Sequence, residues 1–173
     1  MKKYVLLLRG INVGGHHKLP MKDLRAILEA LGCEDVQTYI QSGNVVLSAK
    51  TAPNETAIAS AIEKQFGFPP RVLVVSGDKF TAIANANPYK DEKLDGKFLH
   101  VWYLAGRASA DMDGINARKG PNEAFTLTDY ACYLNAPDGI ARSKLANDVE
   151  KLLGVECTGR NLNTVRKLLE LLK

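Results

Sequence analysis

Arg9, Asn12, Gly14, Gly15 and Lys18 crowd into the stretch LLLRGINVGGHHKLPMKDL, Leu6 to Leu24, where an apolar run meets glycines, then bases, then the start of a helix. Residues of these types can hold phosphate when glycines let the backbone approach closely and successive amides, a lysine and a helix N-terminus face one anion. Neither strong phosphate template is present, because GINVGGHHK fits neither G-x-x-x-x-G-K-[ST] nor G-x-G-x-x-G. A plain turn that needs positive φ is the simpler use of the same glycines. Arg9 ends a strand expected to be buried. It calls for a carboxylate or a ligand, since an unpaired buried charge is costly.

Three further polar clusters carry candidate chemistry. TYIQSGN sets Gln41, Ser42 and Asn44 at an expected hairpin turn, where serine, glycine and asparagine are what turn geometry asks for. G-x-S-x-G is absent, so Ser42 is not expected to be a nucleophile. PDGIARSKL joins a Pro-Asp-Gly turn to Arg142, a capping Ser143 and Lys144. Two cations at a helix start oppose the helix dipole, and a bound anion would remove that conflict; side chains that simply project into water are the alternative. TGRNLNTVRKL places Arg160, Asn161, Asn163 and Thr164 at the start of the last helix, with one asparagine expected as its cap. The two basic, amide-rich helix starts are the main physical argument for an anion site.

Metal chemistry finds little support. His16 and His17 are adjacent and point to opposite sides of an extended segment. No carboxylate or cysteine stands at ligand spacing and no CxxC occurs, so no metal site is expected. His100, in FLHVWY, is expected to be a satisfied core or face residue. The three cysteines, Cys33, Cys132 and Cys157, are odd in number and far apart, which suits reduced thiols in a cytoplasmic protein. The apolar run Tyr4–Leu8 is too short for a signal-peptide core. No segment approaches the roughly 18 apolar residues of a membrane helix, so no membrane partner is expected. A net charge of +4 favours anionic partners but is mild for an obligate nucleic-acid binder.

These residues must be positioned by a chain of 173 residues, long enough to bury roughly 70% of its unfolded surface without disulfides or metal. Tyr4–Leu8 reads as a central strand. Pro20 stands at an expected first helical position, followed by Met21, Leu24, Ile27, Leu28 and Leu31 at helical spacing, with Gly32 as the stop. VQTYIQSGNVVLSA gives two strands split by Ser42-Gly43-Asn44. Asn54 caps a helix bearing Ile58, Ala61, Ile62 and Phe66, which Gly67 ends, and RVLVVS is a strand. A short helix over 78–86 has Asp78 as its expected cap. The order β-α-β-β-α-β is the ferredoxin-like unit, an antiparallel sheet with helices on one face.

NANPYKDEKLDGK is polar and contains proline, which marks a boundary. The expected organisation is a module over 1–86, a linker over 87–97 and a second module over 98–173. The second half repeats the pattern: a strand in FLHVWYLAG, a helix interrupted by Gly114, two strands in AFTLTDYACYLNAP, and a helix carrying Leu145, Val149, Leu152 and Leu153. An extended VECTGRN then leads to a final helix with Val165, Leu168, Leu169 and Leu172. The fold class is therefore α+β, two ferredoxin-like modules with antiparallel sheets plus an extra C-terminal helix.

LLRGINVGG, PMKDLR, VQTYIQSGNVV, PDGIARSKL and RNLNTVRKL together resemble a bacterial family known as domain of unknown function sixteen-ninety-seven, from Tyr4 to Leu172. The resemblance implies a two-part α+β fold of ferredoxin-like character and no reaction. It directs attention to Arg9, Gly10, Asn12, Gly14, Gly15, Gln41, Ser42, Gly43, Asn44, Gly139, Ser143, Lys144, Arg160, Asn161 and Asn163. Family members tend to carry a lysine and another polar residue where this chain has His16-His17, which weakens a metal role. They often carry an aromatic in place of Leu162, which weakens stacking at the last helix.

Three function classes follow. The leading one is binding of a phosphate-bearing or other anionic ligand, a nucleotide or nucleic-acid backbone, through Arg9, Asn12, Gly14, Gly15, Lys18, Gln41, Ser42, Asn44, Arg142, Ser143, Lys144, Arg160, Asn161 and Asn163. RNA binding by base stacking is disfavoured, because the central strands YVLLLRG and NVVLSA are aliphatic apart from Tyr4. An enzyme acting on a small anionic substrate comes second, with Asp138 the nearest general base. A protein-interaction module comes third. No cofactor is assigned, and the sequence is silent on oligomeric state.

Overall fold

The computed structural model describes residues 1–91 and 93–173; residue 92, inside the segment 87–97 expected to link the modules, lies outside the described residues. Two compact units make up the chain, Met1–Ala82 with Lys167–Lys173, and Ile83–Arg166.

The first unit is built on β1 (Lys2–Arg9), β2 (Glu34–Tyr39), β3 (Asn44–Ala49) and β4 (Arg71–Ser76), in the antiparallel order β2-β3-β1-β4. Tyr4 to Leu8 are all buried, as an unbroken apolar run in a central strand requires. Helices α1 (Met21–Ala30) and α2 (Glu55–Phe66) supply Leu24, Leu28, Ile58 and Ile62 to a core shared with Leu6, Leu8 and Leu47. Val5, Leu7 and Val46, on the opposite face, are buried too. Asn54 caps α2 by accepting the Ala57 amide at 2.9 Å, and Gly67 closes it in the left-handed region.

Two expected boundaries shift. Pro20 is the residue before α1 rather than its first: its ψ of 137° is extended, while its carbonyl already accepts from Leu24 at 3.0 Å. The next helix, α3, covers Gly77–Asn85, and Ser76 rather than Asp78 receives a first-turn amide, from Lys79 at 3.3 Å. The hydroxyl at the strand end is already in the capping position.

The second unit repeats the topology. β5 (Leu99–Leu104), β6 (Ala124–Leu127), β7 (Ala131–Asn135) and β8 (Cys157–Asn161) form an antiparallel sheet in the order β6-β7-β5-β8. The corresponding helices are α4 (Met112–Arg118) and α5 (Lys144–Leu153). Leu145, Val149, Leu152 and Leu153 of α5 pack on Leu104, Cys132 and Leu134. Tyr133, on the other face, is buried and donates its hydroxyl to the Ile83 carbonyl at 2.7 Å. The final helix, α6 (Leu162–Leu171), buries Leu162, Val165 and Leu168. Among the described residues there are thus two four-stranded sheets and six helices, as the periodicity requires.

Gly43 shows how tightly the first hairpin is closed. Its φ is +80°, and a Cβ there would stand 2.5 Å from the Leu8 Cβ and 2.9 Å from the Ile11 Cδ1. Gly43→Ala is therefore expected to destabilise the protein by about 2 kcal/mol or more, from left-handed strain plus the clash. Urea unfolding with the slope unchanged and the midpoint lowered would show it.

Candidate functional site

The loop after β1 is ordered by its own hydrogen bonds. Val13 and His16 close a tight turn, His16 donating to the Val13 carbonyl at 2.9 Å, with Gly14 and Gly15 at φ +57° and +77° between them. Two successive positive φ values define the turn type that matches strand twist, and glycine takes them at no steric cost. Asn12, itself at φ +52°, staples the loop down. Its side-chain oxygen accepts from Leu19 at 2.8 Å, and its amide donates to the carbonyls of Leu19 at 3.0 Å and Gln41 at 2.8 Å. The amide's donors and acceptor are all engaged within the protein.

The hairpin joined to this loop is equally self-contained. Asn44 is fully buried and donates to the Ser42 hydroxyl at 2.9 Å and the Tyr39 carbonyl at 3.1 Å. His17 stacks on Phe68 with centroids 4.5 Å apart and Nδ1 2.9 Å from the Gly10 carbonyl, so the ring is part of the loop's packing. Arg9 is exposed, contrary to the expectation of a buried strand end, because burial stops at Leu8. It lies opposite Arg71 across the β1–β4 pair. Lys18 is also exposed. The structure therefore brings Arg9, Asn12, Gly14, Gly15, Lys18, Gln41, Ser42 and Asn44 to one end of the first sheet.

In the second unit the chain turns at Gly139, φ +96°, makes a single 3₁₀ turn over Ile140–Arg142 and enters α5. Ser143 caps α5, its hydroxyl accepting the Ala146 amide at 3.0 Å. Arg142 and Lys144 flank the cap, both exposed. They line a groove of about 490 Å³ with Arg118, Lys119, Glu123 and Asp138. Arg118 is paired with Asp148 at 2.6 Å, and Glu123 accepts the Gly120 amide at 2.8 Å. Arg142 and Lys144 have no side-chain hydrogen bond or ion pair among the described residues. Arg118, Lys119 and Glu123 were not singled out in the sequence, although ARKGPNE is a visible polar run.

Arg160, Asn161 and Asn163 are turned to structural tasks. Asn161 caps α6 by accepting the Thr164 amide at 2.9 Å. Asn163 donates to Asp95 Oδ1 at 3.2 Å. The Lys97 amide and then Asn163 hold the Asp95 carboxyl below its usual range. Arg160 donates to the Gly159 carbonyl at 2.8 Å, and burial pulls its pKa down to about 10, opposed by the nearby Tyr103, so it stays charged at neutral pH. Burial pushes the Cys33 and Cys132 thiols up, and all three cysteines are free and buried. Among the described residues no group of three or more His, Cys, Asp or Glu could hold a metal, and no helix is long and apolar enough to cross a membrane.

Residues 1–133 match the family model described as "Protein of unknown function (DUF1697)". The chain belongs to that family. A solved structure of the conserved bacterial protein SP0830 from Streptococcus pneumoniae is 23% identical, with 99% of each chain covered and a TM-score of 0.72, and so shares the fold. An unknown protein from Galdieria sulphuraria is 12% identical over 92% of this chain and 98% of that one, at a TM-score of 0.27. Aspartokinase III of E. coli, solved with aspartate and ADP, is 13% identical over 88% of this chain and 30% of that one, at 0.26. Scores that low support no argument. No curated protein matches the chain.

Several of the motif residues that carry the family resemblance thus hold the fold together. Asn12→Ala removes three hydrogen bonds and is expected to cost about 2 kcal/mol or more, read as a lowered denaturant midpoint. His100 gives a pH signature. Burial lowers its pKa from 6.5, with the Phe98 backbone acting in the opposite direction. As pH falls below that ordinary value the unfolded chain takes up the proton first, so stability is full above it and declines toward the lowered folded value. Unfolding measured at about pH 7.5 and about pH 5.5 is expected to show this loss in the native protein and a smaller one in His100→Gln.

Proposed function

We propose that the protein binds a small phosphate-bearing or other anionic ligand, a nucleotide or a stretch of nucleic-acid backbone, through its basic loops. The observation that carries this reading is the groove of about 490 Å³ where Arg142 and Lys144 stand beside Arg118 and Lys119 with no side-chain partner among the described residues. With Arg118 paired to Asp148, Lys119, Arg142 and Lys144 against the lining carboxylates Glu123 and Asp138 still leave the groove net positive. Its volume lies in the range of small-molecule pockets. A backbone-tracking contact with nucleic acid suits it better than base stacking, because no aromatic side chain among the described residues lines the groove. Free buried thiols fit a reducing, cytoplasmic setting.

An enzyme acting on a small anionic substrate is the second reading. Asp138 favours it, lining the same groove within reach of Asn122 at 3.4 Å, where a carboxylate could act as general base.

Thermal unfolding against inorganic phosphate, nucleotides, sugar phosphates and short RNA tests the proposal, since a ligand at a hundred times its dissociation constant adds about 2.7 kcal/mol. Arg142→Ala and Lys144→Ala are each expected to weaken binding about tenfold while leaving the unliganded melting temperature nearly unchanged, as for other exposed positions. Ser143→Ala is expected to lower stability by about 1 kcal/mol through loss of the cap. Unchanged melting with every anion, or alanine variants that bind like the native protein, would refute anion binding in the groove.

A further inference from the structure

Two exposed aliphatic side chains stand at the tips of two loops that are bonded to each other in the first unit. Val13 is 68% exposed and Ile40 51%. Asn12, next to Val13, donates to the carbonyl of Gln41, next to Ile40, so the two tips are held in a fixed relation. Ile40 has a φ of +50°. A β-branched residue in the left-handed region is strained, and asparagine or glycine would occupy it at less cost. An isoleucine that is strained and half open to water is a poor choice for folding alone.

The charge around the tips is mainly positive. From Arg9 to Lys22 the chain carries Arg9, Lys18 and Lys22 before Asp23 in the first turn of α1, and from Val36 to Ala49 it carries no charged residue. Arg9, His16 and Lys18 are exposed.

We propose that these paired loops dock on an anionic lipid surface, with Val13 and Ile40 entering the boundary between headgroups and acyl chains and Lys18 meeting a lipid phosphate. Charge complementarity selects an anionic partner. The aliphatic tips select lipid over nucleic acid, because bases stack on aromatic rings whereas acyl chains favour burial of any apolar side chain. No spanning segment is needed for such a contact. Two tips and a few cations give a reversible, salt-sensitive association rather than an anchor.

Cosedimentation of the full chain with phosphatidylcholine vesicles, with and without phosphatidylserine, is the test. The native protein is expected to partition onto the phosphatidylserine vesicles at low salt, to leave them at high salt, and to ignore phosphatidylcholine alone. Val13→Ser and Ile40→Asn are each expected to lower partitioning about tenfold. Ile40→Asn should at the same time raise the melting temperature, since asparagine relieves the strain, which separates lost docking from lost folding. Native protein that stays in solution, equal binding to both vesicle types, or an Ile40→Asn variant that sediments like the native chain would each overturn the proposal. So would tighter binding to short single-stranded RNA that the same two substitutions weaken.

Discussion

Asn12 ties three stretches of the first unit to one point. The chain leaves β1 one residue after buried Leu8 and must reach α1 without stranding backbone groups in the core. One side-chain amide solves this by accepting from Leu19 and donating to Leu19 and Gln41. The start of α1 and the β2–β3 hairpin are thereby tied to the same point. Gly43 then packs flush against Leu8 and Ile11, and Leu8 donates to its carbonyl at 2.8 Å. The longer amide of glutamine in place of Asn12 would have to break one of these bonds to keep another.

The same economy runs through both units. Each sheet has the ferredoxin-like strand order, and although α1 follows Pro20 with no side-chain cap, other helices have first turns capped by a short polar side chain: Asn54 at α2, Asp111 at α4, Ser143 at α5 and Asn161 at α6. Residues that look like ligand-binding equipment in the sequence prove to satisfy orphan amides at helix starts or carbonyls at strand ends. Asn163 and Arg166 extend this to a loop, holding Asp95 and the Asp91 carbonyl. What remains after that accounting is cationic and exposed, at Lys18, Arg142 and Lys144, and this remainder supports a functional reading.

Much of the fold was legible because its signals are local. Leu24, Ile27 and Leu28 repeat at helical spacing and all face the core, Asn54 and Gly67 bracket α2 as cap and stop, and Ser42-Gly43 marks the hairpin. The errors were local competitions settled by geometry. Ser76 outcompeted Asp78 because the helix begins one residue earlier, and Arg9 proved exposed because burial ends one residue before it. The candidate site was less legible. Arg142 and Lys144 were visible as two cations at a helix start, but Arg118 and Lys119, which share their groove, stand more than twenty residues away in sequence and carry no spacing signal.

By itself the sequence determined which segments become strands and helices, the repeated β-α-β-β-α-β order and the family, since periodicity, caps and turn residues act over a few neighbours. Tertiary structure alone decided which polar side chains were free to act. Whether an asparagine meets a ligand or a carbonyl depends on what the fold brings within about 3 Å of it. Asn12 finds Gln41 29 positions along the chain, and Asn163 finds Asp95 at a separation of 68, distances at which no pattern of residue types reports the encounter.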